Sequence, residues 1–157
     1  MDTDEARAAT SPEGLALLSD LPPYTADGAL NRGASLRAAG VAPSLAAAVM
    51  TQARLRERAR AKFGDFADGM LFTPEGLEQA TRLTVAALHA ERFRSAGIGR
   101  VADLTAGIGA DAMAMSAIGI AVMAFETNEA TALIADHNLR HWKQSVVVHA
   151  DSLATVR

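Results

Sequence analysis

The sequence of 157 residues contains no cysteine, which excludes disulfides, thiolate metal sites and a cysteine nucleophile. It has no excess of positive charge. Fifteen Lys and Arg stand against 18 Asp and Glu, a formal net charge of −3, so nucleic acid is not attracted globally and any such binding must use a local patch. It also lacks a membrane-length apolar run: the longest, around Ala112 to Phe125, is interrupted by Ser116 and Gly119. The N-terminal stretch MDTDEARAATSPEG is acidic and has no apolar core, so it does not read as a signal peptide. A soluble, cytoplasmic protein without a membrane partner is the expectation. No internal repeat or low-complexity linker is visible. What is present is a globular composition, 50% hydrophobic and 21% charged.

The first part of the chain reads as helices. Thr10 and Glu13 have capping-box spacing, with Pro12 just inside the start of SPEGLALLSDL. Leu21–Tyr24, LPPY, breaks the chain. TADGALNRGASLRAAG predicts a weaker helix ending at Gly40. From Pro43, SLAAAVMTQARLRERARAKFG is the strongest helical run, with Gly64 as its stop. A loop with exposed aromatics follows, then Thr73 as an N-cap before Pro74 and Glu75, and a further helix to Gly97. After Gly97 the period changes. RVADL, IAVMAF and SVVVHA are short apolar runs suited to strands buried on both faces, and GADAMAMSAIG and NEATALIADHNLRHW between them have helical spacing. Strand and helix in alternation predict parallel βαβ units. The fold class is therefore α/β.

In such units a ligand sits beyond the carboxyl ends of the strands. DLTAGIGADA falls at that place, and Gly107 and Gly109 would let the backbone turn sharply and approach a ligand. A glycine-rich turn of no function is the plain alternative. Three acids weigh against it: Asp103 ends the first strand, Glu126 ends the second, where a carboxylate can accept from ribose hydroxyls, and Asp151 follows the third. Gly107-x-Gly109-x-x-Ala112 also satisfies the looser dinucleotide fingerprint, so a nicotinamide-dependent enzyme stays open. A dinucleotide site must welcome a diphosphate, which Asp103 would repel.

The acid-x-x-x-Gly-x-Gly arrangement resembles the first motif of class I S-adenosylmethionine-dependent methyltransferases, with Glu126 at the second-motif acid and Asp151 near the third. Upstream, KFGDFADGMLFTPEGLEQATRLTVAALHAERF resembles the region before that motif in bacterial methyltransferases that carry a THUMP-like domain. It is also distantly similar to the TPE segment of trimethylguanosine-synthase-type RNA methyltransferases. The resemblance implies a helical module over residues 1–68. It further implies the first three strands of a partial Rossmann-like parallel sheet over residues 69–157. The cofactor implied is S-adenosylmethionine, held by Asp103, Thr105, Ala106, Gly107, Gly109, Glu126, Thr127 and Asp151, with Phe72 and Thr73 lying over it. A plain N-cap with its hydrophobic staple accounts equally for Phe72 and Thr73.

Arg54, Arg56, Arg58, Arg60 and Lys62 crowd one helix against Glu57. Arg54, Arg58 and Lys62 share a face, either a solvated surface or a patch for the phosphates of an RNA substrate. His137 and His141 stand at i, i+4 without a nearby carboxylate, so no metal site is read. Met113, Met115 and Met123 read as core filling.

The sequence stops at HADSLATVR, before the Asp/Asn-Pro-containing fourth-strand motif of that family. No catalytic residue can therefore be named, and a truncated, non-catalytic binding module is the competing reading. In the sheet order implied by the resemblance, absence of the fourth strand turns Val101–Leu104 into an edge open to pairing with another chain. The 157 residues alone are expected to self-associate in sedimentation and to show no methyl transfer; a stable, active monomer would contradict both.

Overall fold

The computed structural model describes residues 1–155; Val156 and Arg157, the last positions of the predicted second unit, lie outside the described residues. Helix α1 (Thr3–Thr10) starts where the Asp2 carboxylate accepts from the Glu5 amide. The cap of α2 (Pro12–Asp20) is Ser11, whose hydroxyl accepts from Gly14 N–H. Thr10, the expected cap, instead ends α1 and donates back to the Ala6 carbonyl at 3.0 Å. Two short helices meet in one Ser–Pro step, and the residue with extended backbone takes the cap. Helix α3 (Ala26–Ala38) and helix α4 (Pro43–Phe63) follow, and left-handed Gly40 and Gly64 stand just beyond their ends. A 3-10 turn (Gly64–Gly69) leads to α5 (Pro74–Gln79), which Thr73 caps by accepting from Gly76 N–H, and then to α6 (Leu83–Ser95).

The rest alternates: β1 (Arg100–Asp103), α7 (Ala110–Ala117), β2 (Ala121–Glu126), α8 (Glu129–Leu139), β3 (Val146–His149) and a final turn α9 (Ser152–Thr155). The strands pair in parallel in the order β1-β2-β3, with Ala102 opposite Met123 and Met123 opposite Val146. The fold is α/β, a partial Rossmann-like sheet preceded by helices. β1 forms one edge, as expected from the sequence. The strands are not buried on both faces, however. The sheet advances in one direction, so right-handed crossovers place α7 and α8 side by side on one face. On the other face the row Ala102–Met123–Val146 is exposed, Met123 by 47% and Val146 by 49%.

Helix α8 is at least partly buried nearly all round, against β2 and β3 on one side and α1 on another, and only Asp136 is exposed. One apolar core runs from Ala6, Leu18 and Val49 through Phe63 and Phe72 to Ile108 and Ile134. A second joins Ala86 and Ala90 of α6 to Ala112, Met115, Val122 and Ala124. Among the described residues no helix is long and apolar enough to cross a membrane.

Between the helical part and the sheet, Met70–Phe72 runs on from the 3-10 turn without a neighbouring strand, and side chains take the place of one. On one side α4 supplies Gln52, which accepts from Phe72 N–H at 3.0 Å and donates to Phe72 C=O at 2.8 Å. One turn further, Arg56 Nε donates to Met70 C=O at 2.8 Å. On the other side Asn138 of α8 accepts from Leu71 N–H at 2.8 Å and donates to Leu71 C=O at 3.0 Å and Ile108 C=O at 2.9 Å. Asn138 is 2% exposed and Gln52 fully buried, so water cannot easily replace either amide. Each buried backbone group left unsatisfied costs about 1–3 kcal/mol. Asn138→Leu orphans three such groups and is expected to lower unfolding free energy by about 3 kcal/mol or more; Gln52→Leu orphans two and should lose somewhat less. Urea denaturation checks both, and a loss below about 1 kcal/mol would show that these amides are dispensable.

Candidate functional site

The turn between β1 and α7 is built by local rules. Asp103 Oδ1 accepts from Thr105 N–H at 3.2 Å, Ala106 N–H donates to Phe125 C=O of β2 at 2.9 Å, and Gly109 N–H closes onto Ala106 C=O at 2.9 Å. Gly107 and Gly109 both have positive φ, 55° and 86°, where a side chain is strained. At Gly107 a Cβ would meet nothing within 4 Å, so the position faces open space; at Gly109 it would only touch Leu139 and Ala135 of α8. Glu126 bridges two elements, accepting from Gly107 N–H at 3.1 Å and from Asn128 N–H, the N-cap of α8, at 2.7 Å.

Beside this turn lies a cavity of about 450 Å³. Asp103, Thr105, Ala106 and Gly107 line it together with Gly76, Thr81, His89, Phe93 and Asp111. Glu126 stands behind the Gly107 amide, and Thr127, whose carbonyl lies 3.0 Å from His149 Nε2, follows it. Asp151 caps α9 by accepting from Leu153 N–H at 2.9 Å, at the same carboxyl edge of the sheet. Phe72 and Thr73 lie in the core and not in the cavity wall. The Phe72 ring packs against Phe63 with centroids 5.7 Å apart, and Thr73 is buried as the cap of α5. Their effect on the site is indirect. The helix they start brings Gly76 so close to the glycine turn that a Cβ there would come within 2.3 Å of Ile108 Cγ2.

Sequence reasoning missed Asp111, His89 and Thr81. Asp111, in the first turn of α7, accepts from the Thr81 hydroxyl at 2.6 Å and lies 2.8 Å from His89 Nδ1. Only Asp111 had a visible signal, its position two residues beyond Gly109; the other two come from α6 and the loop before it. The basic helix is also more occupied than its sequence suggests. Lys62 Nζ donates to Leu77, Glu78 and Ala80 carbonyls at 2.8, 2.6 and 2.9 Å, capping the end of α5, and Arg58 lies 3.7 Å from Glu78. Of the expected phosphate-facing trio, Arg54 alone makes no polar contact among the described residues.

Residues 2–59 match the family model described as "Domain of unknown function (DUF8688)". No curated protein matches the chain. Among solved structures it is similar to a candidate methyltransferase from Porphyromonas gingivalis W83, at 26% identity and a TM-score of 0.63, over 94% of this chain and 35% of that one. The fold is thus methyltransferase-like, and the chain spans about a third of the length of that relative.

The electrostatics of the turn are one-sided. Burial holds the Asp103 carboxyl above its ordinary range, the Thr105 amide partly offsets this, and the nearby Asp111 and Glu126 charges raise it further. An acid whose pKa is raised by folding binds its proton more tightly in the native state, so stability falls as pH rises through that range. Asp103→Asn is expected to raise the melting temperature at neutral pH, with a gain that shrinks toward pH 4. An unchanged or lowered melting temperature would show that Asp103 is compensated within the protein.

Proposed function

We propose that this chain forms the methyl-donor site of an S-adenosylmethionine-dependent methyltransferase, residues 69–157 holding the cofactor and residues 1–68 bracing them. The observation that carries this reading is the Asp103 carboxylate. It is partly buried, has no cationic partner among the described residues, and stands beside a glycine whose missing side chain leaves room. Such a group favours a ligand that brings positive charge and no phosphate. S-adenosylmethionine fits, with its ammonium and sulfonium, whereas the diphosphate of a nicotinamide cofactor would face Asp103, Asp111 and Glu126 together.

Bound there, S-adenosylmethionine supplies an electrophilic methyl group for in-line displacement. The residues of this chain bind and orient. Asp103 neutralises the amino-acid end, and Thr105, Ala106 and Gly107 let the backbone approach it. Glu126 has lone pairs left for ribose hydroxyls after its two amide contacts. Gly109, Thr127 and Asp151 stand outside the cavity wall, at the turn and beyond the carboxyl ends of β2 and β3, and Phe72 and Thr73 support the site through α5. Catalysis of this kind rests mainly on positioning. RNA is the acceptor we favour, on the resemblance of residues 62–93.

Calorimetric titration tests the reading. Gly107→Ala keeps the fold, because its Cβ meets no atom and a left-handed alanine costs only about 1–2 kcal/mol. It is nevertheless expected to weaken S-adenosylmethionine at least tenfold. Glu126→Ala should cost about 1–3 kcal/mol of affinity for the same ligand, and much less for an analogue lacking both ribose hydroxyls. Tighter binding of NAD than of S-adenosylmethionine would overturn the assignment.

A further inference from the structure

A second cavity, of about 490 Å³, opens where α2 and α4 meet the C-terminal end of α8. It shares no lining residue with the cavity beside the glycine turn. Its volume is within the ~300–1,000 Å³ of small-molecule sites. One wall is apolar, with Leu15, Leu18 and Pro23 and the Tyr24 ring. The other carries Arg56, Arg60, Arg140 and His137.

Arg60 is neutralised by a two-pronged contact with Asp68, at 2.7 and 2.9 Å, and by Glu57 at 3.4 Å. Arg56 and Arg140 have no carboxylate within 4.0 Å among the described residues. Both are fixed by backbone carbonyls, Arg56 through Nε to Met70, and Arg140 to His137 at 2.7 Å and, through both terminal nitrogens, to Gly69 at 3.3 and 3.4 Å. The Arg56 terminal nitrogens make no hydrogen bond among the described residues. His137 is 8% exposed, and its Nε2 is buried with no partner. Two unpaired guanidinium groups beside an unsatisfied imidazole nitrogen are an unfavourable arrangement on their own. The titration behaviour agrees. Burial pushes Arg56 down to about 10, with Asp68 opposing and Arg140 adding to the fall. Burial, then Arg140, lowers His137 to about 4, with the Gly69 backbone opposing, so the ring is neutral and carries one N–H.

We propose that this cavity binds a phosphomonoester carried on a flat organic body, the chemistry of a nucleotide. The phosphoryl group takes the Arg56 and Arg140 guanidinium groups and the His137 Nε2–H, and the base lies along the Tyr24 and proline wall. Planar guanidinium groups suit phosphate oxygens in pairs. None of the residues assigned to the methyl donor is used, so this site stands or falls separately from that one.

The test is calorimetric titration of the whole chain with AMP, inorganic phosphate and adenosine, with the His137 ring signals followed by NMR. AMP is expected to bind at least tenfold more tightly than phosphate, adenosine not measurably, and the His137 signals should move with AMP. Arg140→Gln should weaken AMP tenfold or more. Because that change also removes a carbonyl contact, Tyr24→Ala serves as the second variant; it should erase the advantage of AMP over phosphate and leave phosphate affinity alone. A 5′-phosphorylated tetraribonucleotide that binds more tightly than AMP identifies an RNA end as the source, and one that binds more weakly identifies a free nucleotide. Absence of AMP binding to the unaltered chain, binding that leaves His137 unmoved, or equal affinity for AMP and phosphate would overturn the proposal.

Discussion

The segment Met70–Phe72, between the extended backbone of Met70 and that of Thr73, has no strand beside it. Its backbone is satisfied by side chains from two helices, Gln52 and Arg56 of α4 on one side and Asn138 of α8 on the other. Alternate residues of an extended chain point their N–H and C=O groups to opposite sides, so the two helices divide the segment between them, α4 taking Met70 and Phe72 and α8 taking Leu71. Buried amides are a demanding solution, since both partners must be present and aligned. In return the segment becomes a rigid seam between the N-terminal helices and the parallel sheet. Everything that faces the glycine turn hangs from it: Phe72 enters the core, Thr73 caps α5, and α5 delivers Gly76 against Ile108.

That last contact explains why the turn is supported from outside as well as by its own hydrogen bonds. Ile108 is fully buried between two glycine residues of positive φ, so the turn is anchored by one side chain while its neighbours remain bare. Asn138 Nδ2 also holds the Ile108 carbonyl. The turn is therefore fixed at its centre, and the amide of Gly107 is left to Glu126. Pre-positioned backbone of this kind can meet a ligand without reorganising, which is where an enzyme that works by alignment gains most.

The parts legible in the sequence were those set by local rules. Gly40, Gly64 and Gly97 end helices with left-handed backbone, Thr73 caps α5, and the acids Asp103 and Glu126 close parallel strands where the alternation of periods placed them. The misplacements have equally local reasons. Thr10 and Ser11 are adjacent capping residues, and only backbone conformation separates them. Valine-rich strands read as buried on both faces, yet crossover helices on one face leave Met123 and Val146 exposed. What could not be read was long-range pairing. Gln52 and Asn138 sit in Ala-rich helices as ordinary polar residues, and nothing near them announces Phe72 or Leu71, 20 and 67 positions away. Lys62 looked like part of a basic face because its three carbonyl partners belong to another helix. His89 and Thr81 meet only through Asp111.

Helix α8 joins these parts mechanically. Its N-cap, Asn128, shares Glu126 with the glycine turn, and its first residue, Glu129, pairs with Arg7 of α1 at 2.6 Å. Its last turn carries Asn138, bonded to Leu71 and Ile108, and His137 of the second cavity. A helix held at both ends cannot slide by a fraction of a turn without breaking a buried hydrogen bond. The Asn138 amide makes the constraint strict: its oxygen and both directions of its NH2 group are already committed to three backbone atoms, so rotating it to follow a shift of α8 releases at least one of them. The helix that carries His137 into the second cavity is therefore fixed in place by the same side chain that holds the glycine turn.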